Sequence, residues 1–163
     1  MAAGEPKGSV ARVRDALARH GLAAEIREFD ASTRTSADAA AAIGCTVAQI
    51  AKSLVFRSAS GRGVLVIASG ANRVDEAKVA ALVGEPIGKA DAAFVRDVTG
   101  YAIGGIPPLG HAQPLETLVD EDLLRHAVVY AAGGTPHAMF PIDPAALLRV
   151  AGGRAAKVAL ATS

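Results

Sequence analysis

Residues 99–111, TGYAIGGIPPLGH, hold four glycines and two adjacent prolines within thirteen positions. Proline lacks the N–H that a helix interior or a central strand requires, and glycine loses the most backbone entropy when ordered. The stretch is therefore a long stiffened loop, and the regular elements on either side must be assembled around it. Gly104-Gly105 opens backbone conformations closed to other residues and can expose consecutive N–H groups, while Pro107-Pro108 fixes the chain that follows. A concave row of amides holds a carbonyl oxygen, a carboxylate or a phosphate without any charged side chain. The motif is neither a dinucleotide fingerprint nor a Walker loop, and a structural turn with no ligand explains an isolated GG-x-PP equally well.

The device recurs in AAGGTPH, Ala131 to His137, directly after the strongest strand pattern, AVVYAA. Two glycine-pair loops favour a pocket more than either does alone. His111 and His137 each follow a rigid turn, where an imidazole serves as hydrogen-bond donor or as base near neutral pH, or stands as an ordinary surface residue.

Around these loops the pattern alternates between helix and strand. Ser9 is expected to cap a helix carrying Val10, Val13 and Leu17 and ending at Gly21. AEIREF reads as a short strand, and a helix starts near Ser36 and stops at Gly44. TVAQ, Thr46 to Gln49, has capping-box spacing and predicts a further helix through Ser53. Leu54–Arg57 and Val64–Ala68 read as strands joined by the hairpin SASGRG. Helices follow from Val74 or Asp75 to Gly84 and after the Asp91 cap; strands are expected at 116–119, 127–132 and 138–142. Asp143-Pro144 opens a helix to Val150, and AKVAL suggests a last strand. Strands linked by short turns argue against a strict βαβ array. The expected fold is α+β: one domain over residues 1–163 with a central mixed sheet flanked by helices.

Charge narrows the function. Seventeen Lys and Arg against sixteen Asp and Glu give a net charge of +1, which does not suit bulk capture of duplex nucleic acid. Any polyanion must be met locally. With 51% hydrophobic and 4% aromatic residues and no Trp, the core must be aliphatic. Cys45 is the single cysteine, which excludes an internal disulfide and a multi-cysteine metal site. No metal-binding motif is present, so neither a metal nor a cofactor is expected. Met1–Ser9 lacks an apolar leader core and no stretch reaches the length of a membrane span; the expected compartment is the cytoplasm. Cys45 precedes a helix start but has no accompanying histidine pattern, so nucleophilic catalysis gains little from it.

The run SADAAAAIGCTVAQIAKSLVF could form a DNA-binding helix-turn-helix, yet its second helix would offer only Gln49, Lys52 and Ser53 as polar readers. Lys52 itself lies beside Ile50, Leu54 and Val55, where it is either a partly buried functional amine or a snorkelling surface lysine.

Four ordered blocks, QIAKSLVF, ASGANRVDEAKVAALVG, TGYAIGGIPPLGH and AAGGTPHAMFPIDPAAL, resemble the YbaK/ProX family of free-standing aminoacyl-tRNA deacylases, related to the editing domain of bacterial prolyl-tRNA synthetase. The resemblance runs from about Val10 to Val150. It implies a barrel-like sheet and a pocket for the aminoacyl-adenosine end of a mischarged tRNA. It implies catalytic roles for Lys52 and for the Gly104, Gly105 and Ile106 loop, which would surround the ester carbonyl. Ser69, Gly70, Pro107, Pro108, Gly110, His111, Gly133, Gly134, Thr135 and His137 would line the substrate pocket. Arg34, Arg73 and Lys78 would meet the acceptor stem. The implied partners are an aminoacyl-tRNA acceptor end, with tRNA(Pro) expected, and prolyl-tRNA synthetase.

Two departures bear on substrate. Members that prefer cysteine commonly carry serine at the position of Pro107 and a basic-glycine pair at the position of Thr135-Pro136. The expected acyl group is thus alanine or another small non-proline residue. A non-catalytic tRNA-binding module and a DNA-binding regulator are the alternatives.

Overall fold

The computed structural model describes residues 8–161. The leader-free start expected at Met1–Ser9 falls, up to residue 7, outside them. Five helices and eight strands are arranged in the order α1 (Ser9–Arg19), β1 (Arg27–Glu28), α2 (Ser36–Ile43), β2 (Ile50–Ser58), β3 (Gly63–Ser69), α3 (Glu76–Val83) and β4 (Ile87–Lys89), then α4 (Ala92–Thr99), β5 (Glu116–Asp120), β6 (Val129–Ala132), β7 (Ala138–Ile142), α5 (Pro144–Ala151) and β8 (Arg154–Ala156).

The strands form one mixed sheet in the order β1-β7-β6-β2-β3-β5-β8, with β4 also paired to β2. Its ends, β1 and β8, do not meet, so the barrel-like sheet expected from sequence is an open one. β3 lies inside the sheet between β2 and β5, and Val64 to Ala68 is apolar on both faces, the pattern of a strand covered on two sides. Leu65 and Ile67 pack with Val13, Leu17, Val95 and Leu147 on the face of α1, α4 and α5. Val64, Val66 and Ala68 pack with Val79 of α3 and with Val158 on the other. Each of these fully buried large aliphatic side chains contributes about 1.5–3 kcal/mol through burial.

Most helix boundaries follow their sequence signals. Thr35, Asp75, Asp91 and Asp143 accept hydrogen bonds from the first-turn amides of α2, α3, α4 and α5, and Pro144 occupies the first turn of α5.

Other expectations are corrected. Ser9 is the first residue of α1 rather than its cap, and Gly8 stands at the cap position. The Thr46–Gln49 capping box forms, with Gln49 Oε1 accepting from the Thr46 N–H at 3.0 Å, but the turn stops after Gln49. Ile50 already belongs to β2, which pairs with β3 over seven consecutive positions from Ala51–Ser69 to Arg57–Gly63. That ladder outweighs a local helix signal of three residues, and it removes the recognition helix that a DNA-reading motif needs. The last strand is Arg154–Ala156, paired with β5, and Ala159 makes one isolated bridge to Val74. β4 had no sequence signal of its own.

Candidate functional site: a split strand edge under a glycine loop

Along one edge β2 is fully paired with β3. Along the other it has two part-time partners: β6 accompanies only Ile50 and Ala51, and β4 only Phe56 to Ser58. Positions 52–55 have no strand neighbour there. The gap opens into a cavity of about 360 Å³ whose lining includes Lys52, Ser53, Thr33, Arg34 and Gly70. Ile103, Gly104 and Ile106 of the long loop cover it. A second, more apolar chamber of about 210 Å³ shares Ser53, Leu54, Ile103 and Ile106 and extends to Val55 and Val95.

Lys52 projects from this unpaired stretch, a strand rather than the helix end expected for it. Its Nζ donates to the Asn72 carbonyl at 2.7 Å. Asn72 is itself fixed, because its Nδ2 donates to Asp120 Oδ2 and to Asp122 Oδ2, each at 2.8 Å. Asp120 is 1% exposed and also accepts from the Ser69 N–H at 3.1 Å. The lysine therefore has a fixed ammonium rather than a wandering one. Burial lowers its pKa from the usual lysine range; Asp120 opposes the shift and Arg73 adds to it.

The loop above is held from behind by α1. Arg12 Nη2 donates to the Gly100 carbonyl at 2.9 Å, and its guanidinium lies 4.5 Å from the centre of the Tyr101 ring. Gly104 adopts φ +92, a conformation that favours glycine, and the Arg34 side chain lies across it, 2.8 Å from where a Cβ would stand. The Gly105 N–H is used within the loop, on the Ala102 carbonyl at 3.0 Å. The N–H groups of Gly104 and Ile106 take no partner among the described residues. The free amides are thus separated by one residue, Gly105, and are not consecutive.

The remaining site residues anticipated from sequence divide clearly. Lys52, Gly104, Ile106, Gly70 and Arg34 line one cavity. Gly105 is buried against the backbone of Thr135. Pro107 and Pro108 are buried behind the loop. Gly133 packs on Ile26 and Gly134 on the Ser9 carbonyl, so the second glycine pair lies outside the cavity lining and lets backbone segments approach each other. Ser69 Oγ donates to the Ala48 carbonyl at 2.8 Å. The His137 ring meets the Ala31 carbonyl at 3.2 Å and is exposed.

Arg73 is exposed beside Asn72, close enough to influence Lys52. Lys78 Nζ is used on the Ala159 carbonyl at 2.8 Å. Sequence reasoning missed Asn72 and Asp120, and named Ser53 only as a reader of DNA. An aspartate ending the apolar strand ETLVD was the one available hint.

His111 lies with Gly110 in a separate shallow depression and has a structural task. Its Nε2 is 2.7 Å from the Pro107 carbonyl, which can only accept, so the ring donates there. Burial lowers its pKa, with the Pro107 bond opposing. As pH falls below the ordinary histidine range, the unfolded chain takes up a proton that the folded chain resists, and stability declines. Unfolding midpoints measured from pH 7.5 to 5 are expected to fall more steeply for the native chain than for His111→Gln; parallel slopes would exclude His111 as their source.

The fold is thus a mixed α/β sheet with an anchored lysine at a gap in its strand pairing, and loop residues whose amides have no partner among the described residues line the same cavity. Residues 30–150 match the family model described as the aminoacyl-tRNA editing domain. The chain belongs to that family. It is 32% identical over 120 residues to the uncharacterized protein YwhH of Bacillus subtilis (strain 168), covering 74% of this chain and 76% of that protein.

Among solved structures, it is similar to a protein proposed as a trans-editing enzyme for prolyl tRNA synthetase. The two share 44% identity and a TM-score of 0.89, over 96% of this chain and 100% of the other. The hypothetical protein APE2540 is also similar, with 30% identity and a TM-score of 0.85 over 91% and 99% of the two chains. No described helix is long and apolar enough to cross a membrane.

Proposed function

We propose that this chain is a single-domain deacylase that acts in trans on misacylated tRNA, with tRNA(Pro) charged with alanine or another small amino acid as substrate. The observation that carries the reading is the meeting, in one cavity, of a half-buried and anchored Lys52 ammonium with the free Gly104 and Ile106 amides. The terminal adenosine enters between Arg34 and Lys52, and the ammonium holds the nucleotide and its ester. The two amides receive the negative charge that develops on the ester oxygen when water attacks, and one such donor contributes about 3–4 kcal/mol. An aminoacyl ester is already activated, so no side-chain nucleophile is required, and the neighbouring ribose hydroxyl can orient the water. Arg73 at the rim faces the acceptor stem. Lys78, tied to Ala159, contributes less to that stem contact than sequence position suggests.

The acyl side chain occupies the chamber of about 210 Å³ beneath Ile103 and Ile106. Its walls, mainly aliphatic with Phe56 and Lys89 among them, suit a small side chain, and a methylene more or less changes the preference by about 1–3 kcal/mol. The test is a panel of tRNA(Pro) charged with Ala, Cys, Ser, Thr, 2-aminobutyrate and Pro. Release of Ala is expected to be fastest and release of Pro slowest by at least about tenfold. No release of any acyl group would leave a tRNA-binding module; equal release of all, Pro included, would exclude an editing role.

A further inference from the structure

Ser53 stands in the middle of the unpaired stretch of β2. At one end of the β2–β3 pairing the Gly70 N–H donates to the Ile50 carbonyl at 2.7 Å, and at the other the Ser58 N–H donates to the Arg62 carbonyl at 2.9 Å. Hydrogen-bonding direction alternates along a strand, so the even-numbered residues of β2 address β3 and the odd-numbered ones address the opposite edge. On that edge Ala51 meets β6 and Arg57 meets β4. Between them the N–H and C=O groups of Ser53 and of Val55 point into the gap with no strand to take them.

The Ser53 side chain shows the same deficit. Its Oγ and Arg12 Nε are the two buried side-chain polar atoms without a partner among the described residues. Buried polar groups in folded proteins are nearly always paired, and Ser53 lines both chambers. One residue thus offers the site a main-chain donor, a main-chain acceptor and a hydroxyl.

An α-aminoacyl group carries the complement. Its amine and its carbonyl have the spacing of one residue of a peptide strand, and a strand edge binds such a residue through paired main-chain bonds. We infer that Ser53 recognises the α-amino group of the acyl moiety: its carbonyl and Oγ accept the amine's N–H groups, and its N–H donates to the acyl carbonyl oxygen. The aminoacyl group docks as a one-residue addition to the sheet. Its side chain is left to the apolar chamber walled by Val55, Val95 and Ile106. The pairing needs only N–H donors, so it serves the uncharged amine that the nearby Lys52 ammonium favours.

This inference rests on the deacylase reading for its ligand but not for its test. Calorimetry on the full chain would compare two hydrolysis-resistant ligands, adenosine bearing a 3′-amide-linked alanyl group and the same compound with propionyl, which lacks only the amine. The alanyl compound is expected to bind at least tenfold more tightly. Ser53→Ala is expected to weaken alanyl binding several-fold while leaving propionyl binding nearly unchanged. A retained preference in a protein that releases nothing from charged tRNA would defeat the deacylase reading alone. Equal affinities of the wild-type chain for the two ligands, including no measurable binding of either, would overturn the role of Ser53, even if alanyl-tRNA is hydrolysed.

Discussion

Lys52→Ala is expected to reduce deacylation by at least about 10²–10³-fold, the scale of losing one preorganised charged or oxyanion-binding donor, while leaving the folded structure in place. The two halves of this expectation have different causes. Lys52 makes a 2.7 Å bond to the Asn72 carbonyl, and bonds from charged donors contribute about 1.5–3 kcal/mol. Against that, its lowered pKa records an unfavourable desolvation of the ammonium, which the alanine variant no longer carries. The two effects oppose each other, so the unfolding midpoint should move by no more than a few degrees.

Activity has no such compensation, because no second ammonium lines the cavity beside Gly104 and Ile106. The same group sets an alkaline limit. In the proposed reaction the ammonium is the working form, and burial lowers its pKa below the usual lysine range, so catalysed hydrolysis above background is expected to decline at a lower pH than for an ordinary lysine. Lys52→Arg should not restore the rate: a planar fork cannot occupy a point-charge position fixed by a single carbonyl. Wild-type turnover by the alanine variant, or an alkaline limit unchanged in it, would remove Lys52 from the reaction.

How far the site could be read from sequence depends on how local its causes are. Helices α2 to α5 were legible because their caps lie within three residues of the amides they satisfy, as with Asp91 and Phe94. The loop at Gly104 was legible because its composition excludes helix and central strand alike. For Lys52 the sequence left a partly buried amine and a snorkelling lysine both open and placed it at a helix end rather than on a strand, since the Thr46–Gln49 box is real and only the pairing of β2 with β3 shows where it ends.

The gap beside Ser53 was not legible at all. It exists because β6 and β4, about forty residues apart in sequence, share one edge of β2 and leave four positions between them. The Asn72–Asp120 contact that steadies Lys52 spans 48 residues and has no local signature either. The second glycine pair shows the converse error. Its composition suggested a ligand loop, whereas Gly134 is needed because a Cβ there would stand 2.7 Å from the Ser9 carbonyl of a helix remote in sequence.

The coupling of the two glycine loops makes Gly105→Ala a disruptive single methyl near the site. A Cβ at Gly105 would stand 2.6 Å from both Cα and the carbonyl carbon of Thr135, and 2.9 Å from its nitrogen. These are backbone atoms, and they are not free to retreat. The Thr135 carbonyl accepts from the Ala138 N–H, and the next carbonyl, of Pro136, accepts from both the N–H and the hydroxyl of buried Thr33. Behind them Gly134 already rests on Ser9.

The Gly104–Ile106 segment must therefore yield, carrying its two free amides out of register with Lys52. Overpacking of this kind costs about 1–3 kcal/mol, a lowering of the unfolding midpoint by roughly 2–12 °C for a chain of this length. A displacement of about 1 Å at reacting groups costs about 10²-fold in rate, so activity should fall by more than the loss of stability explains at temperatures where the variant remains folded. Gly88→Ala on β4 is the matched control: a Cβ there meets nothing within 4 Å and the residue is not in the left-handed region, so both midpoint and rate should stay near wild type. If Gly105→Ala behaved like Gly88→Ala, the two loops would not be locked together, and the amides above the cavity would owe their position to something other than Thr135.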